Sequence, residues 1–80
     1  MRAEKLVRMA NQIAAFFETA SDNNPEAEVA DHLNRFWEPR MRRQLVEIAR
    51  TDQGRMHELV RAALPLLSLP DQDRSATSPS

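Results

Sequence analysis

The residues able to carry chemistry in this 80-residue chain are few and scattered. His32 and His57 lie far apart, and neither has a second ligand or a catalytic companion at helical spacing. The chain contains no cysteine, which removes thiol nucleophiles, iron–sulfur ligation, thiolate zinc and a disulfide framework. Its single glycine, Gly54, cannot build a phosphate-cradling loop, and no nucleophile–base pairing is spaced to act. What the sequence concentrates is recognition chemistry. The run HLNRFWEPRMRRQL, residues 32–45, holds the only Trp, one of the three Phe and four Arg around a proline-marked break. Trp, Phe, Met and Arg are the types enriched at interface centres, so this composition points to a binding surface.

The elements that must position these residues follow from apolar spacing. In residues 3 to about 19, Leu6, Met9, Ala10, Ile13, Phe16, Phe17 and Ala20 repeat with a period near 3.6, predicting a helix with these residues toward the core. SDNNP, residues 21–25, stops it: Asn24 is the expected N-cap of a second helix, Pro25 its first residue, and Glu26 and Glu28 complement its dipole. That helix is expected to reach Trp37, with Val29, Ala30, Leu33, Phe36 and Trp37 on its apolar side. Adjacent helical residues point about 100° apart, so Phe36 and Trp37 both become buried only if two sides of the helix are covered. The same reasoning sends one of Phe16 and Phe17 inward and the other out.

Pro39 breaks the chain and begins a third helix, whose apolar set is Met41, Leu45, Ile48 and Ala49 with Val46 on the flank. TDQG, residues 51–54, ends it, with Gly54 expected as a left-handed C-terminal cap. A short last helix carries Met56, Leu59, Val60, Ala63 and Leu64 up to Pro65, and residues 66–70 continue as an apolar extended stretch. No period-two alternation occurs. The expected fold is all-α, three to four short helices in a small bundle over residues 1–69, with residues 70–80 as a disordered tail.

Charge is segregated beneath a formal total of −1. Glu18, Asp22, Glu26, Glu28 and Asp31 occupy a stretch without Lys or Arg, and the next stretch carries Arg35, Arg40, Arg42, Arg43 and Arg50 against Glu38 and Glu47. Ten of the eleven basic residues are Arg, whose planar fork suits paired contacts at interfaces better than mere solubility. The acidic balance and a pI near 6.1 oppose a nucleic-acid partner, although a helix, a break and an Arg-rich helix superficially match a small DNA-binding module. Hydrophobic runs stay far below the roughly 18 residues of a membrane span, and charges interrupt the N-terminal apolar stretch, so the expected location is cytoplasmic.

Two blocks, LVRMANQIAAFF (residues 6–17) and HLNRFWEPRMRRQL, resemble in order and separation the delta subunit of soluble NAD-dependent, molybdenum-containing formate dehydrogenases. The resemblance covers residues 5 to about 64, and FWEPRMR, residues 36–42, is its most specific part. It implies a non-catalytic accessory subunit that itself carries no cofactor. Its implied partners are a catalytic alpha subunit with a molybdenum or tungsten pterin centre and iron–sulfur clusters, a flavin (FMN) subunit that reduces NAD, and a small iron–sulfur subunit. The implied role is to stabilise or assemble the catalytic subunit. On this reading the expected contacts are Phe36, Trp37, Arg40, Met41, Arg42 and Arg43, with Asn11, Gln12 and Phe17 as a second group. The alternative is a transient chaperone for molybdenum-cofactor insertion, in which Arg40, Arg42 and Arg43 attract pyrophosphate.

Overall fold

In the computed structural model, residues 2–69 are described. They form helices α1 (Ala3–Ala20), α2 (Pro25–Phe36), α3 (Pro39–Asp52) and α4 (Glu58–Ala63), with 3-10 turns at Gln53–Arg55 and Leu64–Leu66, and no strand among these residues. The expected tail, 70–80, lies outside the described residues, so the division at residue 69 is left as an expectation.

Local chemistry sets the boundaries. The Asn24 side chain accepts from the Ala27 amide at 3.3 Å and Pro25 follows as the first helical residue, the cap expected from SDNNP. At the other end of α2, Trp37 and Glu38 are extended, because Glu38 precedes Pro39 and is steered from the helical region. Pro39 then opens α3. Gly54 does not provide the expected left-handed cap: it lies inside the 3-10 turn, without positive φ, as the chain tightens from α3 directly into that turn.

The core is one apolar cluster drawn from all four helices and the segment after α4. Leu6, Leu33, Leu45, Val29 and Val60 are the largest side chains sealed inside it, and α2 packs most extensively against α4 and α1. On α1 the buried residues are Leu6, Val7, Ala10 and Ala14, a stripe rotated from the expected one. Small Ala10 and Ala14 let α1 approach its neighbours closely, and the larger Met9, Ile13 and Phe16 turn toward the rim. On α3 a core position goes to a charged residue, Arg42, beside Leu45, whereas Met41, Val46, Ile48 and Ala49 are only half-buried. The segment after α4 folds back, burying Leu67 and Leu69.

Candidate partner-binding surface

Phe16 and Phe17 of the first sequence block converge with His32 and Phe36 of the second along α1 and α2. Phe16 and Phe17 stand edge to face with ring centroids 5.1 Å apart, Phe17 meets the His32 ring at 6.1 Å, and His32 meets Phe36 at 4.8 Å. Sequence spacing makes this row possible, since His32 and Phe36 are four apart on α2 and share a face. Phe16 is 61% exposed and Phe36 71% exposed, two of the three large hydrophobic side chains left open among the described residues. Beside them Met9, Gln12, Ile13, Phe17 and His32 line an open groove of about 360 Å³. Exposed aromatic side chains grouped beside a groove have the composition of an interaction surface.

Trp37 and Arg42 face the other way. Because the backbone leaves the helix at Trp37, the indole folds under α2 and is 6% exposed, which resolves the tandem: Trp37 goes in and Phe36 out. Arg42, also 6% exposed, donates through Nε to the Ser68 carbonyl at 2.9 Å and through Nη1 to the carbonyls of Leu33 and Asn34, each at 3.3 Å, and of Trp37. The carbonyls of Asn34 and Trp37 lie at the end of α2, beyond the last backbone bond from the Trp37 amide to Leu33, so the guanidinium caps α2 from the side and ties it to Ser68. Asn34 completes the clasp: its amide donates to the Leu66 carbonyl at 3.2 Å and its oxygen accepts from the Ser68 amide at 2.8 Å. In this conformation the Arg42 fork is taken up by backbone, and the indole by the core.

Asn11 is a second internal fastener. Its amide donates to the Arg55 carbonyl at 3.0 Å, and its oxygen accepts from the His57 backbone amide at 2.8 Å, fixing the entry to α4 from the middle of α1. His57 then caps α4, Nδ1 accepting from the Leu59 amide at 3.0 Å. With Nδ1 an acceptor, the neutral ring carries its proton on Nε2, which lies 3.2 Å from Glu18 Oε1 and donates to it. Gln12, Arg40 and Arg43 are exposed and Met41 is half-buried, Arg40 standing four residues beyond Phe36 at the start of α3.

Of the expected contacts, the structure therefore brings Phe17 and Phe36 together with Gln12 nearby, and directs Trp37, Arg42 and Asn11 inward. It adds Met9, Ile13, Phe16 and His32. Met9, Ile13 and Phe16 were signalled by the apolar spacing of α1, which placed them toward the core, whereas His32 lies on α2 outside its apolar set. Among the described residues no three His, Cys, Asp or Glu side chains cluster as metal ligands, and no helix is long and apolar enough to cross a membrane.

A family model described as the NADH-dependent formate dehydrogenase delta subunit FdsD matches residues 5–64 of this chain. No curated protein and no solved structure matches it.

Proposed function

The chain belongs to the family of NADH-dependent formate dehydrogenase delta subunits, and from that premise we propose that it is a non-catalytic accessory subunit that docks the catalytic subunit of that enzyme through its α1/α2 face. The observation that supports this reading most is the open aromatic row, with Phe16 and Phe36 as anchors. Burying two such rings against a partner is the desolvated centre that interface energetics require, and the exposed Arg40 at the start of α3 is available for a charge-assisted contact. Trp37, Arg42 and Asn11 serve the surface indirectly by holding the helices that carry it. A subunit that binds the native form of a larger protein, and not its unfolded form, stabilises that form by mass action. The pterin metal centre, iron–sulfur clusters and flavin of the complex then belong to the other subunits, and the site of action is the cytoplasm.

Co-expression of the tagged chain with the catalytic subunit, followed by affinity capture, tests the proposal. Phe16→Ser with Phe36→Ser is expected to lower recovery of the catalytic subunit at least tenfold while far-UV circular dichroism stays helical, because each anchor is worth more than about 1 kcal/mol. Undiminished recovery with the double variant removes this face from the proposal. Equal recovery of metal-free and metal-loaded catalytic subunit favours a resident subunit, and capture of the metal-free form alone favours the chaperone.

A further inference from the structure

Residues 66–69 lie against the end of α2 and the start of α3 as a bound peptide would. Leu67 has extended dihedrals, φ −76° and ψ 140°, and residues 67–69 belong to no helix or strand. Exposure alternates along them: Leu67 and Leu69 are buried, and Ser68 between them is exposed. Their hydrogen bonds with α2 and α3 fall on backbone atoms. Asn34 donates to the Leu66 carbonyl and accepts from the Ser68 amide, so one side chain brackets Leu67 on both sides, as a neighbouring strand would. Arg42 Nε donates to the Ser68 carbonyl at 2.9 Å. Extended peptides that add to a sheet edge are recognised in the same way: main-chain hydrogen bonds hold the backbone, and pockets for alternate side chains select the sequence.

The cleft is built independently of what fills it. Arg42 Nη1 is anchored on the carbonyls of Leu33, Asn34 and Trp37, so Nε stays aimed at the cleft with or without Ser68. Asn34 follows Leu33, which is sealed in the core. Such preorganisation lowers the cost of taking up a ligand. The occupant is held more lightly, since lifting it breaks the bonds of a few residues and leaves the four helices packed. The family match divides the two as well: residues 5–64 include Leu33, Asn34, Trp37 and Arg42, and the segment 66–69 lies beyond them.

We propose that this cleft is a second binding site, taking an extended segment of a foreign protein with apolar residues two positions apart, and that residues 66–69 fill it in cis as a displaceable strap. The cleft lies apart from the row of Phe16 and Phe36, so the inference stands without the docking reading above. Exchange of straps between two copies trades identical contacts and forfeits the advantage of attachment, which leaves a foreign segment as the occupant that gains by entering. Attachment gives the strap an effective concentration on the order of millimolar, so the partner enters by outcompeting it.

Fluorescence anisotropy on the purified full chain tests this, with the fluorescein-labelled peptide LPLLSL, the sequence of residues 64–69, as the probe. Leu67→Ser with Leu69→Ser in the full chain weakens the strap, and this double variant is expected to bind the peptide at least about tenfold more tightly than the unaltered chain does. A second peptide, LPLITV, keeps the apolar alternation in a different sequence and is expected to bind within about tenfold of the first. LPLSSS is expected not to bind. Adding Asn34→Ala to the double variant is expected to weaken binding about tenfold, because both bonds that bracket the central residue are lost.

No saturable binding of LPLLSL up to about 1 mM by a double variant that keeps its helical circular dichroism overturns the inference. Equal binding by the unaltered chain, or binding indifferent to Asn34→Ala, overturns it by putting the peptide elsewhere. Binding of LPLLSL without LPLITV reserves the cleft for this chain's own segment and overturns the foreign partner. If the double variant loses its helical signal, hydrogen exchange of the unaltered chain decides. The Ser68 amide is expected to exchange at least about tenfold faster than the Leu33 amide of α2, after correction for intrinsic rates. Equal protection of the two means that the strap opens only with the whole fold, and overturns the inference.

Discussion

Phe36 and Trp37 are neighbours in sequence and belong to different regions of the molecule. Trp37 sits in a closed region where α2, α3 and the segment after α4 are fastened by Arg42 and Asn34, with donors and acceptors matched across the clasp. Phe36 sits in an open region, in a row of rings with no polar fastening and most of its own surface exposed. Aromatic side chains help build both. The difference teaches that composition marks where energy is concentrated along a chain, and the rotation of each residue about its helix decides whether that energy serves folding or binding.

The contrast predicts a ranking of substitutions. Trp37→Ala leaves a large cavity in the closed region and should cost about 3–5 kcal/mol, enough to unfold most of a domain whose whole stability is of similar size. Loss of the helical circular dichroism signal at 25 °C checks it. Arg42→Ala strips donors from several carbonyls at once and should cost about 3 kcal/mol in urea unfolding. Arg42→Lys should regain only part, because an ammonium cannot span acceptors on both sides of the clasp. If Arg42→Ala leaves the unfolding midpoint in place, the clasp is not what closes this region.

Smaller effects sharpen the boundary. Asn11→Ala and Asn34→Ala should each cost about 1–2 kcal/mol, since each leaves a backbone carbonyl and a backbone amide without its partner. Hydrogen exchange should show the loss locally, at the entry to α4 for Asn11 and at residues 66–69 for Asn34. Phe36→Ser should shift stability by no more than about 0.5 kcal/mol, as for other surface substitutions, and should act on partner capture. A Phe36→Ser variant as unstable as Trp37→Ala would erase the distinction between the regions.

Much of the fold was legible from local chemistry. Asn24 and Pro25 announced the start of α2, Pro39 the start of α3, and the apolar spacing the presence of four helices. The candidate surface was legible as a pair of sequence blocks and not as a face. On α1 the apolar stripe was wide enough for two rotations, and hydrophobicity alone favoured burying the larger Met9, Ile13 and Phe16; packing favoured Ala10 and Ala14, whose small side chains permit close approach. Nothing local distinguished Arg42 from Arg40 or Arg43. Only the packing of α3 against the end of α2, with the return of residues 64–69, set the carbonyls of Leu33, Asn34, Trp37 and Ser68 around Arg42.

The sequence by itself determined the helices, the Asn24 cap, the breaks at residues 21–25 and at Pro39, and the family, because these depend on residues within one turn of each other or on motifs read in order. The tertiary structure decided which aromatic is buried, which arginine is structural and which face stays open. Those choices depend on contacts between residues as far apart as Asn11 and His57 or Asn34 and Ser68, and a helix carries no record in its own spacing of how far its neighbours will turn it.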